Sequence, residues 1–116
     1  MKKPPPEHLA SLESEVRLCL QLLGQYLNAR RNDLGLSQEQ AAARAGLSRT
    51  AVHNIEHGLS DEKISTLFRV CRTLRLGFGE VVAHLVHLVD HPEDRPARQG
   101  LKSQRGKNTR RSLQGR

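Results

Sequence analysis

The stretch SRTAVHNIEHG, residues 48–58, carries the side chains of this sequence best suited to binding another molecule. A serine opens it and a glycine closes it, which is typical of a short capped helix. Its apolar residues are Ala51, Val52 and Ile55. The other faces carry groups that can hydrogen bond: Arg49, Thr50, His53, Asn54 and His57. Such residues could form a solvated face, or a surface that contacts the polar groups of a ligand.

The segment before it completes a two-helix pattern. Ser37 is a predicted N-cap with Gln40 three residues on, which is a capping box. We therefore predict one helix over 38–45 and, after the N-cap Ser48, a second over 49–57. Two short helices joined by a tight turn are typical of a helix-turn-helix motif.

The spacing inside residues 38–57 supports this motif. Where the two helices cross most closely a small residue is needed, and Ala42 is there. The turn needs a residue that accepts a positive φ, and Gly46 is there. Val52 and Ile55 have the spacing that would hold the helix over 49–57 against a core. The two serine caps and all of these positions match the register of one helix-turn-helix motif.

Three further helices are predicted. The first covers about 11–34 with Ser11 as its N-cap, and the others cover 64–74 and about 80–91. Pro92 ends the last one. The first helix is more apolar than one buried stripe requires. It either breaks near Gly24 or packs its first half against a partner chain.

The predicted organisation is one all-α, five-helix domain over residues 11–91. It is preceded by a disordered proline-rich lead (1–10) and followed by a disordered basic tail (92–116). The net charge of +7 is uneven. Residues 1–90 hold eleven Lys and Arg against ten Asp and Glu, whereas residues 91–116 hold eight against two. A polyanion is a natural partner of such a tail.

Other functional classes find little support in the sequence. Cys19 and Cys71 lie in helical patterns and are expected to be reduced core residues. There is no signal-peptide pattern and no apolar run of membrane-spanning length, so we expect a cytoplasmic protein without a membrane partner. No nucleophile with a base emerges, so we expect neither catalysis nor a cofactor.

The stretch GLSQEQAAARAGLSRTAVHNIEHG resembles the helix-turn-helix of the phage-repressor family (Cro/repressor, XRE-type), and ISTLFRVCRTLRL resembles its fourth helix. The resemblance covers roughly residues 27–82. It implies a five-helix, lambda-repressor-like domain, usually a dimer, whose third helix enters the DNA major groove.

The resemblance also assigns residue roles. Base contacts fall to Arg49, Thr50, Asn54 and, less strongly, His53, since Arg suits guanine and Asn suits adenine. Phosphate contacts fall to Ser37, Gln38, Ser48 and His57. Glu56 corresponds to a family glutamate that pairs with an arginine of the first helix, here Arg31. The alternative for Glu56 is a plain solvated residue.

Two departures from the family are visible. Ala41 stands where the family often has leucine, so a looser core is expected around the helix predicted over 38–45. The loop after Gly58, often basic in the family, contains Asp61 and Glu62. The acidic loop predicts weaker DNA binding by the domain unless the basic tail compensates.

The predicted fifth helix carries three histidines on one face: His84, His87 and His91. They allow a zinc site, but no Cys or carboxylate partner is evident, so a solvated or dimer-rim stripe is favoured and no metal is expected. The wide apolar arc of this helix is the first candidate for a homodimer interface. The front half of the first helix is the second candidate for this interface.

The sequence therefore predicts a homodimeric, sequence-specific regulator of transcription that binds double-stranded DNA at an inverted repeat. It is expected to be a repressor, located on the nucleoid. One alternative is an antitoxin that binds a toxin and autoregulates its operon. Another is a protein-interaction module, with the transcription machinery among its partners, for which DNA is secondary.

Overall fold

The computed structural model describes residues 7–96, and over this range the chain is helical without strands. The elements are α1 (Glu7–Asp33), α2 (Gln38–Ala45), α3 (Arg49–Glu56), α4 (Ile64–Thr73), α5 (Phe78–Asp90) and a 3₁₀ turn (Pro92–Asp94). The predicted five-helix, all-α fold is thus confirmed. The predicted disorder of residues 1–6 and 97–116 lies outside the described residues.

The first helix begins earlier than predicted, at Glu7 rather than near Ser11. Residues 7–10 are therefore helical and do not belong to a disordered lead, and Ser11 is not an N-cap. The hydroxyl of Ser14 donates to the carbonyl of Ala10 at 3.2 Å, as serines inside helices do. The acidic Glu7 in the first turn suits the positive end of the helix dipole.

The predicted alternative of a break near Gly24 is wrong, because α1 runs through this residue. Gly24 is buried where α1 crosses the end of α3. A Cβ built on it would lie 2.6 Å from the carbonyl oxygen of Ile55 and would overlap the carbonyl of Glu56. The glycine thus permits a close approach of two helices.

The core lies between the second half of α1 and the other four helices. Its buried members are Leu22, Leu23, Leu27, Leu36, Ala45, Ile55, Val70, Cys71, Leu74, Val81, Leu85 and Leu88. Ala41 is buried and borders a cavity of about 10 Å³, about the volume that a single water molecule needs, so the looser packing expected there stays a prediction. Cys19 and Cys71 are free thiols, and burial raises the pKa of both.

The C-terminal end of the domain extends beyond α5. This helix begins at Phe78, two residues before the predicted start, and ends at Asp90. Arg95 then folds back, and its guanidinium donates to the carbonyls of Leu88 and Val89 at 2.8 Å each. These bonds satisfy carbonyls in the last turn of α5. Residues 92–95 are therefore ordered, and the predicted boundary of the tail at 92 is too early.

Candidate nucleic-acid interface

The turn between α2 and α3 has the predicted backbone geometry. Gly46 has φ 72° and ψ 34°, the left-handed conformation that glycine accepts without strain. The amide of Leu47 donates to the carbonyl of Ala42 at 2.8 Å, which closes the C-terminus of α2. Ala42 is 2% exposed, so a small side chain does occupy a buried position of the motif.

The two serine caps predicted for α2 and α3 are present. The hydroxyl of Ser37 accepts from the amide of Gln40 at 3.0 Å, and the Gln40 side chain accepts from the amide of Ser37 at 2.9 Å. The hydroxyl of Ser48 accepts from the amide of Ala51 at 3.0 Å. The two N–H groups of each helix between cap and N3 have no acceptor within the helix. They remain available to an anion such as a DNA phosphate.

The polar face of α3 points away from the core. Val52 and Ile55 are buried, whereas four polar positions on this helix are exposed or half-buried: Arg49, Thr50, His53 and Asn54. Within residues 7–96, no hydrogen bond or ion pair engages the side chains of Arg49, Thr50 and Asn54. Their donors and acceptors can therefore all be used by a ligand.

Two histidines extend this face toward the end of α3. The rings of His53 and His57 lie 4.1 Å apart between centroids, and both side chains are exposed. The structure therefore places His57 beside one of the predicted base-contacting residues, on the same side of the helix.

Behind this face, Glu56 anchors α3 to the rest of the domain. Its carboxylate accepts two hydrogen bonds from the Arg31 guanidinium. Nε donates to Oε2 at 2.6 Å, and Nη2 donates to Oε1 at 3.0 Å. The two residues are 3% and 1% exposed, so this is a buried ion pair and not a solvated glutamate. Arg31 also donates to the carbonyl of Leu36 at 2.7 Å, in the loop before α2.

Two more side chains complete the network. Asn28 of α1 donates to Oε1 of Glu56 at 2.9 Å, and Gln38 of α2 donates to the same oxygen at 3.1 Å. Burial raises the pKa of Glu56, but the hydrogen bonds from Arg31, Asn28 and Gln38 outweigh it and hold that pKa below its ordinary value of 4.5. The carboxylate therefore links α1, α2 and α3 in its charged form.

This network changes the expected role of Gln38. One hydrogen of its side-chain amide is directed inward to Glu56. The second hydrogen and the backbone N–H remain for a phosphate. Gln38 thus couples the start of α2 to the end of α3.

The sequence prediction missed Asn28 and the packing role of Gly24. Asn28 is 4% exposed and precedes Arg31 by three residues, so both lie on one face of α1. A polar residue at this spacing from a buried arginine is a recognisable signal. The contact of Gly24 with α3 has no local signal, because it depends on residues more than thirty positions away.

The three histidines predicted to share one face of the fifth helix, of which His91 follows the end of α5, do not converge on one point. The ring of His84 lies 5.1 Å from that of Tyr26, while His87 contacts Asp94 at 2.6 Å and His91 contacts Glu93 at 3.3 Å. The expectation that no carboxylate lies nearby was wrong, because residues 92–95 fold back. Even so, residues 7–96 contain no group of three His, Cys, Asp or Glu side chains placed to hold a metal.

No helix in the described range is both long and apolar enough to cross a bilayer.

No curated protein matches the chain. A family model described as a helix-turn-helix domain matches residues 22–85, a span that includes the C-terminal part of α1, all of α2, α3 and α4, and the first part of α5. This span exceeds half of the chain, agrees with the phage-repressor-like resemblance of the sequence, and shows that the chain belongs to the helix-turn-helix domain family.

Proposed function

We propose that the protein is a sequence-specific regulator of transcription that binds double-stranded DNA through α3. The observation that carries this proposal is the uncovered polar face of α3. Arg49, Thr50 and Asn54 present unused hydrogen-bonding groups there, with His53 beside them. In a major groove, Arg suits guanine, Asn suits adenine, and Thr suits a thymine methyl or a base edge.

The phosphate contacts would come from the edges of this face. The free N–H groups at the starts of α2 and α3 are suited to phosphates, and the hydroxyls of Ser37 and Ser48 can still donate while they cap. Gln38 and His57 would extend this set on either side. These contacts orient α3 without selecting a sequence.

The basic tail would supply most of the attraction to DNA. Residues 7–96 hold ten Lys and Arg against twelve Asp and Glu, whereas residues 97–116 hold seven Lys and Arg and no acid. The helical domain alone is thus slightly acidic. An electrostatic arm of this charge adds affinity for any DNA but little sequence preference.

We further propose that the protein acts as a homodimer on an inverted repeat and represses transcription by occluding a promoter. A two-fold dimer presents two copies of α3 to two half-sites. Because its ligand would be chromosomal DNA, it would act in the cytoplasm. Proteins of this family are typically not enzymes, and the proposed function needs neither catalysis nor a cofactor.

The experiment that tests this proposal is selection of bound fragments from random DNA at physiological salt, where nonspecific binding is suppressed. We expect an inverted repeat with half-site centres about one helical turn apart. Enrichment of no motif would contradict sequence-specific binding. A single half-site would contradict the proposed dimer on DNA.

A second candidate function is supported by exposed apolar residues on α1 and α5. Leu12, Val16 and Val86 are each about half exposed, which favours a protein partner. An antitoxin would use such a surface for a toxin, and an interaction module would use it for the transcription machinery. An interaction module separates from the first proposal because it keeps its function in Arg49→Ala and Asn54→Ala variants. An antitoxin predicts instead a toxin gene next to its own.

A further inference from the structure

A groove of about 210 Å³ lies between α1 and α5, and we call it the α1–α5 groove. Its lining residues are Glu15, Val16, Cys19, Val86, Val89 and Asp90. The centre is apolar, and its Val16 and Val86 are 46% and 55% exposed. The two charged lining residues are both carboxylates, and within residues 7–96 neither takes part in a hydrogen bond or an ion pair. The groove therefore combines an uncovered apolar centre with two unpaired negative charges.

The helices that form the groove supply no cation to these carboxylates. Arg17 follows Glu15 by two residues, which places it about 200° around α1 and on the side away from the groove. Helix α5 contains no Lys or Arg. Asp90 is the last residue of α5, where the helix dipole disfavours a negative charge. A cation bound at this edge is therefore stabilised by both carboxylates and by the end of the helix.

The chain leaves the described domain at this same edge. The Arg95 guanidinium donates to the carbonyls of Leu88 and Val89 at 2.8 Å each, and Val89 lines the groove. The basic tail, residues 97–116, therefore begins beside the groove. Leu101 follows Arg95 by six residues, which span at most about 20 Å. Because the groove covers little more than one turn of α5, the first residues of the tail can reach all of it.

The basic tail carries the groups that complement this groove. It holds seven Lys and Arg, no acid and two large apolar side chains, Leu101 and Leu113. In the sequence, Leu101 lies between Arg98 and Lys102. An apolar side chain flanked by two cations complements an apolar centre flanked by two carboxylates.

We propose that the α1–α5 groove binds the basic tail of its own chain, with Leu101 in the apolar centre and Arg98 and Lys102 at the two carboxylates. Because the tail is attached at the edge of the groove, its local concentration there is on the order of millimolar. Weak contacts are then sufficient, and the burial of one leucine with two exposed ion pairs supplies them.

The groove then competes with DNA for the tail. A lysine or arginine that lies against a carboxylate is not available to a phosphate, so the contact lowers the affinity for every DNA sequence alike. Base contacts by α3 do not involve the groove and keep their full effect on the choice of a site. This competition rests on the electrostatic arm of the proposed function, whereas occupancy of the groove does not.

Charge favours the tail over a second copy of the folded domain. Helix α1 of another copy would bring its own Glu13 and Glu15 against carboxylates of the same sign. Charge also favours this groove over a groove of about 250 Å³ between α2 and α4, whose lining includes Arg44, Arg69 and Arg72. Those guanidinium groups repel the basic tail.

The first test is carbodiimide crosslinking of the full-length protein without DNA, read by mass spectrometry after digestion. The reagent joins a lysine amine to a carboxylate that it contacts. We expect Lys102 to be joined to Glu15 and Asp90, with a yield that falls in about 1 M salt, where exposed ion pairs are screened. Glu13 and Glu80 are the matched controls, because they are exposed on the same two helices but do not line the groove.

Three results of the crosslinking would overturn the proposal. One is an equal yield at all four carboxylates. Another is the absence of any crosslink from Lys102 to the groove, which would leave the groove to a partner protein. The third is a crosslink that joins two chains, which a mixture of isotope-labelled and unlabelled protein reveals, because the tail would then belong to another copy.

The second test is the affinity for a DNA duplex of arbitrary sequence, measured by fluorescence anisotropy on full-length variants. Glu15→Gln combined with Asp90→Asn releases the tail and should raise this affinity about three- to tenfold. Glu13→Gln combined with Glu80→Gln removes the same charge from the same helices and should change the affinity less. All four positions are exposed, so these variants keep the fold.

A change in the tail completes this comparison. When Arg98→Gln and Lys102→Gln are added to both variants, the groove pair and the control pair should have equal effects on the affinity for DNA. Equal effects already with the wild-type tail would show that the carboxylates act through long-range charge alone. That result would overturn the competition between groove and DNA.

The two tests separate this inference from the proposed function. Crosslinks in the groove of a protein that does not bind DNA would refute the proposed function and leave the groove contact standing. Enrichment of a DNA motif by a protein without groove crosslinks would refute the contact and leave base contact by α3 standing.

Discussion

Gly24 of α1 lies against the backbone of Glu56, the last residue of α3, so closely that no side chain fits between the two helices. The same Glu56 holds Arg31, about two turns further along α1. One residue of α3 is therefore positioned twice by α1, through its backbone at Gly24 and through its carboxylate at Arg31. The orientation of the proposed DNA-contacting helix depends on this double attachment.

Replacing Gly24 by alanine should destabilise the domain. The added methyl group would overlap backbone carbonyls, which cannot rotate away as a side chain could. We expect a loss of about 1–3 kcal/mol in the free energy of unfolding, despite a helix-propensity gain of about 1 kcal/mol. Urea denaturation of wild type and variant measures this loss in the free energy of unfolding.

Gly79→Ala is the matched control for this prediction. A Cβ on Gly79, in α5, would meet nothing within 4 Å. The same substitution should therefore be neutral or stabilising there, by up to about 1 kcal/mol. Equal effects at the two glycines would show that close helix packing is not the reason for Gly24.

Removing the charge of Glu56 should be among the most damaging single changes. Glu56→Gln leaves the Arg31 guanidinium buried without its counter-charge, which typically costs about 3–5 kcal/mol. Glu39→Gln, an exposed glutamate of α2, should stay within about 0.5 kcal/mol of wild type. If thermal denaturation gives both variants a stability close to that of wild type, the ion pair does not hold α3 in place.

The same carboxylate predicts the direction of a pH effect. The pKa of Glu56 is lower in the folded state than its ordinary value of 4.5. Its stabilising contribution is therefore complete above 4.5 and is lost as the pH falls through the folded pKa. The difference in unfolding free energy between wild type and Glu56→Gln should shrink as the pH drops below 4.5. A difference that grows in acid would mean that this pKa is raised.

The two strongest base-contact candidates make a prediction about specificity. Arg49→Ala and Asn54→Ala should each cost about 1–3 kcal/mol on the selected DNA site and relax the preference at one base pair. Arg69→Ala is the control. Arg69 is exposed on α4 and not on α3, so its replacement should change the affinity for all DNA sequences alike. Fluorescence anisotropy on a set of single-base variants of the site separates these outcomes.

Deleting residues 97–116 should weaken binding to every DNA sequence by a similar factor. Each lost phosphate contact should flatten the dependence of log affinity on log salt by about one unit. The cut belongs after Pro96, because Arg95 binds the carbonyls of Leu88 and Val89 and should be kept. A truncated protein that keeps the full salt slope would show that the tail does not contact DNA.

Local chemistry made the helix-turn-helix predictable from the sequence. Ser37, Ser48 and Gly46 act within their own turns, so the caps and the left-handed glycine could be assigned from neighbouring residues. The pair of Arg31 and Glu56 came from the family resemblance.

Contacts between distant segments were harder to predict. Gly24 suggested a break because its role depends on α3, and the ordered residues 92–95 depend on bonds from Arg95 back to α5. The inward bond of Gln38 was missed for the same reason, since its acceptor lies on another helix.

The most direct test of base contact by α3 is to run the DNA selection on the Arg49→Ala, Asn54→Ala double variant beside the wild type. We expect that wild type enriches an inverted repeat, and that the folded double variant enriches none while it retains salt-sensitive binding to bulk DNA. Recovery of the same motif by the double variant would contradict the assignment of sequence recognition to α3.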